Sequence, residues 1–381
     1  MEEPAARQLA DAGAPSFAAV AALPRVSASE RAAMLAGPRD RERHRELAAG
    51  LPALHAVEVG GAARAAAAPP AQLRVAAWNA ERGVSLAGAA ALLRASGADV
   101  ALLSELDLGM ARSGQRHVAR ELAADLGMAY AFGVEFLELD LGDASERARC
   151  AGAENEVGYH GGAILAAVPF ARPALVRLDA GGDWFDGRRG EARVGGRVAL
   201  LATVNLAGVG VALASVHLES HAGPELRDAQ TAALLRALDA YAPGAPAVLG
   251  GDWNTHGLPL AALEDRAALR AALAAAPTRV VRPVPHEPLF ARLEEAGFER
   301  HACNLDETPT ERRRSEGGSR RGVLHLDWLF VRGLRAEESA VLDAVDSCGV
   351  ALSDHEVVTA TVTPSGGANG PSGPPARRAR P

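Results

Sequence analysis

Six short apolar segments of this chain are each interrupted or bounded by an Asn, Asp, Glu or His. Residues 73–78 run into Asn79 and Glu81, and residues 99–104 into Glu105. Residues 210–216 run into His217, and residues 245–251 into Asp252 and Asn254. Asp327 sits inside the apolar run 323–331, and Asp354-His355 directly precedes residues 357–362. Short apolar runs suit strands buried in a packed sheet. A polar group held in such a place costs free energy unless it is paired. The chain therefore has to bring several strand ends together, so that their polar residues satisfy one another or a cation.

Helical patterns alternate with these strands. The spacing predicts helices over residues 86–95, 116–126 (closed by Gly127), 225–238, 260–275 and 289–296, and further strands at 163–168 and 197–205. Many short strands with interspersed helices point to a layered α/β sandwich, two sheets face to face with helices outside. Residues 1–71 are rich in Ala and Arg, with short helices near 28–35 and 40–51 and a linker at 62–70, and read as a helical appendage. Residues 72–363 form the main domain. Residues 364–381, rich in Gly, Pro and Arg, read as a disordered tail. Residues 139–158 and 312–321 are polar enough to be surface loops or mobile insertions.

Composition narrows the partners. The net charge of −7 argues against a broad nucleic-acid-binding face, although it leaves room for a local basic groove. Every cationic side chain is Arg, since Lys is absent, which reflects compositional bias more than selection for phosphate. Aromatic residues are 4% of the chain, so Leu, Val and Ala must build the core. Cys150, Cys303 and Cys348 have no metal-ligand spacing and fit a reducing compartment. No secretory signal or membrane-length apolar run is visible, and a cytoplasmic protein without stable membrane association is expected.

Each polar residue has an ordinary explanation when taken alone. Asp252 and Asn254 suit a tight turn, Glu105 a helix N-terminus, and His217 a hydrogen-bonded core histidine. Asp327 is harder to explain, because an unpaired buried carboxylate is expensive. It is the joint occurrence of all six that points to a site.

In this order, Trp78-Asn79, the Glu105 strand end, Ser215-Val216-His217-Leu218, Gly251-Asp252-Trp253-Asn254, Leu326-Asp327-Trp328-Leu329-Phe330 and Ser353-Asp354-His355 resemble the endonuclease/exonuclease/phosphatase superfamily, the deoxyribonuclease I-like proteins. The resemblance spans residues 73–362. It implies a four-layer α/β sandwich, with two mostly antiparallel sheets flanked by helices, and a divalent-metal-dependent phosphoester hydrolase. It implies Mg²⁺, with Mn²⁺ as the alternative, held by Glu105 with Asn79 and Asp354; Glu81 is a further candidate for that shell. Asp252 resembles the residue that orients or deprotonates the attacking water, and Asn254 one that holds a phosphate oxygen. His217 and His355 resemble the pair that stabilises the phosphoryl transition state, with Asp327 orienting His355. Where many members carry Gly-Asn, this chain has Gly161-Gly162, so Asn155, Tyr159 or His160 is left to supply a substrate-positioning group.

Substrate choice belongs to the loops. A nuclease acting on DNA or RNA is favoured by Arg312-Arg313-Arg314 and Arg320-Arg321, which lie just before Asp327. A soluble small-molecule or lipid-headgroup phosphatase is favoured by the acidic net charge. A non-catalytic binding module would have no need of all these polar positions.

Overall fold

In this computed structural model, residues 13–64, 68–179, 181–315 and 318–365 are described. Most of the predicted tail lies outside them.

Two sheets carry the architecture. The larger runs, from one edge to the other, through Ala18–Val20, Ala56–Gly61, Ala129–Glu138, Tyr159–Ala166, Val100–Leu108, Leu73–Arg82, Val357–Pro364 and Leu334–Leu342, with Arg193–Gly195 added on Ala129–Glu138. The smaller runs Asp327–Arg332, Ala247–Asp252, Val209–His217, Val198–Leu206, Phe170–Arg177. Most neighbours are antiparallel. The exceptions are Leu73–Arg82 with Val100–Leu108, Val209–His217 with Ala247–Asp252, and the edge pair Ala18–Val20 with Ala56–Gly61.

Three apolar layers fill the spaces between the elements. Val75, Leu102, Ile164, Leu213, Val248 and Leu329 pack between the sheets. Trp78, Leu103 and Phe132 face the helices Leu86–Ser96 and Val118–Leu126. Leu249, Trp253 and Phe330 face Pro224–Tyr241 and Leu289–Glu295. The order is helix, sheet, sheet, helix, the expected four layers. Both first-layer helices end at a glycine in the left-handed region, Gly97 and Gly127, where a side chain would be strained. Among the described residues no helix is long and apolar enough to cross a membrane.

The N-terminal region differs from the helical appendage expected. Its helices, Ala28–Ala36 and Arg41–Gly50, form near the predicted places. Its other segments, Ala18–Val20 and Ala56–Gly61, extend the larger sheet, and the second pairs with Ala129–Glu138. The pairing covers what would otherwise be a bare sheet edge. The arginine-rich stretch is also not irregular: Arg312–Ser315 and Gly318–Arg321 pair as an antiparallel hairpin. The strand expected over 323–331 starts only at Asp327.

Candidate active site

Strand parity places most of the site. In Leu73–Arg82, residues Leu73, Val75 and Ala77 face the opposite sheet. Asn79 continues that alternation at the strand's end. The same parity holds for His217 beyond Val211 and Leu213, for Asp252 beyond Val248, and for Asp327 before Leu329 and Val331. In the smaller sheet the register then sets His217 beside Asp252 and Asp252 beside Asp327, one row across three strands.

Glu105 arrives by a different route. Register slips between Leu103 and Leu106, and Glu105 stands in the left-handed region at φ 55°. Regular alternation would send Glu105 to the helix-covered face with Leu103. The bulge inserts it as an extra residue and turns it to the sheet end. Glu81, Arg82 and Asn254 also have positive φ, at 42°, 70° and 51°. Unfavourable backbone of this kind concentrates where the surroundings hold it for function. Gly251 has φ 142°, and a β-carbon there would sit 1.9 Å from the Val216 carbonyl oxygen. Only glycine lets the Asp252 strand lie this close to the His217 strand.

The geometry converges on one atom, Oδ2 of Asp252. Asn79 Nδ2 donates to it at 3.1 Å, and His217 Nε2 and His355 Nε2 each lie 3.7 Å away. Asp252 Oδ1 accepts from the Asn254 backbone N–H at 2.9 Å, and the Asn254 amide donates to Leu218 O. Asn79 Nδ2 also donates to Glu105 Oε1 at 3.1 Å. Asp327 Oδ2 holds His355 Nδ1 at 2.8 Å. Glu135 Oε1 lies 3.0 Å from His217 Nδ1, with Arg197 Nη1 also 3.0 Å from the ring. Trp78 and Ser353 are structural braces. Trp78 Nε1 donates to His355 O at 3.0 Å, and Ser353 Oγ links Asn79 O to the His355 N–H.

Electrostatics separates the groups. Burial disfavours a charged His355, but Asp327 and Asp252 outweigh it and hold its pKa well above the ordinary value. Burial, reinforced by Asp252, pushes Asp327 up to about 6. We place the shared proton of this pair on the imidazole, since two carboxylates face it. Burial also opposes ionisation of Glu105, yet the Arg82 guanidinium holds that carboxyl well below its usual range. Asp354 is pushed up to about 6 by burial and by the charges of Glu81 and Glu105.

Two donor sets follow. Ligand atoms of Asp252, Asp327 and His355 lie within 4.8 Å of one another. His355 would have to surrender its proton to ligate, so this trio suits proton handling better than cation binding. Glu105 and Asp354 offer oxygens on the partly exposed side, with Asn79 next to Glu105. The carboxylate crowding that raises Asp354 is what a cation there would relieve, so these residues fit a hard divalent ion. Both Glu81 oxygens are taken by Arg314, so Glu81 borders that set.

Several residues at the site were not anticipated. Arg82 joins Glu105, Glu146 and Glu191, and Arg112 joins Asp107, Glu138, Glu146 and Glu191 behind it. His160 is buried in that network, 2.9 Å from Asp107. Asn155 and Tyr159 are spent elsewhere, on Asp140 O and Pro24 O. Glu135 and Arg197 back His217. Glu135 had a legible signal, a carboxylate inside the apolar run 129–137, the same signal that singled out Asp327.

Asp179 offers a pH test of this charged interior. It is buried, accepts from Gly181 N–H at 2.7 Å, and burial with nearby Glu219 and Asp183 pushes it up to about 6. Its folded pKa exceeds the unfolded value, so the fold is penalised as pH rises and the group ionises. Each tenfold change in proton affinity is worth about 1.4 kcal/mol, which puts the penalty on the order of 3 kcal/mol above pH ~6. Asp179→Asn should therefore melt higher than wild type at pH 8 and lose that advantage towards pH 4. A Tm difference that does not change with pH refutes the account.

The family described as Endonuclease/Exonuclease/phosphatase matches residues 76–355. No curated protein matches the sequence. Among solved structures, the chain is similar to an endonuclease/exonuclease/phosphatase from Beutenbergia cavernae DSM 12333, at 20% identity over 77% of this chain and 72% of that one, TM-score 0.50. It is similar to the human Nocturnin catalytic domain with bound sulfate at 15% identity over 81% and 98%, TM-score 0.50. A family protein from Bacteroides thetaiotaomicron matches at 14% identity over 76% and 94%, TM-score 0.50. These likenesses describe the fold; the family match covers well over half of the chain and the site strands with it. The chain belongs to the endonuclease/exonuclease/phosphatase family.

Proposed function

We propose that the protein is a divalent-metal-dependent phosphodiesterase, with a nucleic acid as its best-supported substrate. The observation that carries this reading is the focus on Asp252 Oδ2, with one amide and two imidazoles within 3.7 Å. Asp252 is placed to orient and deprotonate an attacking water. His355, held protonated by Asp327, supplies positive charge to a phosphoryl oxygen, and His217, steadied by Glu135, faces the same point. Asn254 can offer its second amide hydrogen to a phosphate oxygen. Glu105 and Asp354, with Asn79 adjoining, would hold Mg²⁺ or Mn²⁺, which neutralises charge on the phosphoryl oxygens and acidifies bound water. Arg313, Arg314 and Arg320, exposed beside the site, favour a polyanionic substrate. A soluble small-molecule phosphoester is the second reading, favoured by the net charge of −7.

A substrate panel tests the proposal: single-stranded DNA, duplex DNA, RNA, a bis-aryl phosphodiester and inositol phosphates, each with Mg²⁺ and with EDTA. Hydrolysis of the aryl diester and at least one nucleic acid, abolished by EDTA and restored by Mg²⁺, is expected. Activity on inositol phosphates alone would select the second reading. No turnover on any member, with no Mg²⁺ binding by calorimetry, would leave a non-catalytic binding protein.

A further inference from the structure

The hairpin of Arg312–Ser315 and Gly318–Arg321 is costly by local energetics. Its register sets Arg312 opposite Arg321 and Arg313 opposite Arg320. Like charges directly opposite destabilise a strand pair. One of these pairs is neutralised by the body of the protein. Arg312 is buried and reaches Glu356 at 2.8 Å and Asp343 at 2.6 Å, and Arg321 reaches Asp343 at 3.0 Å.

The other pair points outwards. Arg313 and Arg320 are both exposed on the opposite face, and Arg313 donates to both oxygens of Glu311, at 2.8 and 3.2 Å, two residues earlier on the same stretch of chain. Arg314 is 49% exposed and bonds both oxygens of Glu81, whose N–H is bound to Asn79 Oδ1. The base of the hairpin is fixed to the site itself: Arg312 N–H donates to Asp354 O at 2.6 Å, and Glu311 bridges to His355. Three exposed guanidiniums therefore stand on a rigid base at the metal-side rim.

We propose that this hairpin is the nucleic-acid backbone-binding surface of the protein. Arg313 and Arg320 contact phosphates beyond the scissile one, and Arg314 exchanges Glu81 for a phosphate nearer to it. A phosphodiester backbone can take over Arg313 and Arg314 from Glu311 and Glu81 and neutralise Arg320 opposite Arg313, and guanidinium forks match phosphate oxygens. A membrane surface fits less well, because strands of Arg, Ser and Gly offer nothing to insert into acyl chains. The proposal rests on the phosphodiesterase reading above.

The test is binding of a fluorescent single-stranded oligonucleotide by full-length protein in EDTA, across a salt series. The variant Arg313→Gln/Arg320→Gln is compared with wild type and with Arg43→Gln/Arg94→Gln, which removes equal charge from remote exposed positions. Each lost phosphate contact should lower the slope of log affinity against log salt by about 0.7. The hairpin variant is expected to lose about 1.4 from that slope and roughly tenfold or more in low-salt affinity. Its Tm should equal or exceed that of wild type, and the remote variant should bind as wild type does. An unchanged slope in the hairpin variant, an equal loss in the remote variant, or binding to anionic vesicles but not to oligonucleotide would each overturn the proposal. Wild-type hydrolysis of the aryl diester without oligonucleotide binding would overturn the hairpin proposal alone. Failure of wild type to hydrolyse the aryl diester would overturn the reading beneath it.

Discussion

Turnover by Asp252→Ala and by His355→Ala is expected to fall about 10³-fold or more, with far-UV circular dichroism like that of wild type showing that the fold persists. Both side chains lie at the ends of strands or in a braced loop, and neither belongs to the apolar layers. His355 Nε2 stands 3.7 Å from Asp252 Oδ2, and its other nitrogen is fixed by Asp327 at 2.8 Å. Removing Asp252 deletes the carboxylate on which both imidazoles and the Asn79 amide converge. Removing His355 deletes the cation and leaves Asp327 and Asp252 facing each other across a cavity. Groups that act on one transition state lose their effect together. The double variant should accordingly be no slower than the worse single one. Wild-type-like kcat on the aryl diester in either single variant would refute the assigned roles, and strictly multiplicative losses would show that the two act in separate steps.

The second large effect is structural. Arg112→Met should destabilise the protein by about 3–5 kcal/mol, a fall of roughly 5–15 °C in Tm. Its guanidinium is inaccessible and binds Asp107 through two 2.9 Å contacts, with Glu138, Glu146 and Glu191 at 3.2, 3.0 and 3.3 Å. Methionine fills much of the same volume but leaves these carboxylates short of a cation in a medium where burial already disfavours charge. Part of the deficit falls on Arg82, which shares Glu146 and Glu191 and also pairs with Glu105. The variant should therefore also bind Mg²⁺ differently by calorimetry, because Glu105 loses part of its hold on Arg82. A melting point within about 2 °C of wild type would show that the network tolerates the loss, contrary to the expected cost of stranding buried carboxylates.

Much of the fold was legible. The helices near 86–95 and 116–126 and the strands carrying Asn79, Glu105, His217 and Asp252 stand close to where periodicity puts them, although the first two strands run on past their expected ends, to Arg82 and Leu108. Ala18–Val20 and Ala56–Gly61 carry little local signal because they are short strands at and next to the sheet edge, and their stability comes from partners far along the chain. The strand Ala129–Glu138 is hard to read because its buried carboxylates Glu135 and Glu138 break the apolar run, and the arginines that compensate them are 62 and 55 residues away. The arginine hairpin reads as a loop in sequence because its strand pairing is opposed by its own charges and is secured by Asp343 and Glu356.

The candidate site divides in the same way. Asn79, His217, Asp252 and Asp327 follow from sequence alone, since a period of two carries each to the face already occupied by its apolar neighbours, and a polar group ending such a run needs a partner. What brings them within hydrogen-bonding reach is inter-strand register, closed by Gly251 at φ 142°. Glu105 contradicts its own alternation and reaches the site only through a bulge, and the charge state of His355 is set by carboxylates from two other strands. Which residues bring polar groups to the apolar strands is legible in the chain, because that information is local and periodic. Which of them meet, which cation faces Glu105, and that three exposed arginines stand at the rim follow from the folded chain, because bulges, register and buried ion pairs depend on residues distant in sequence.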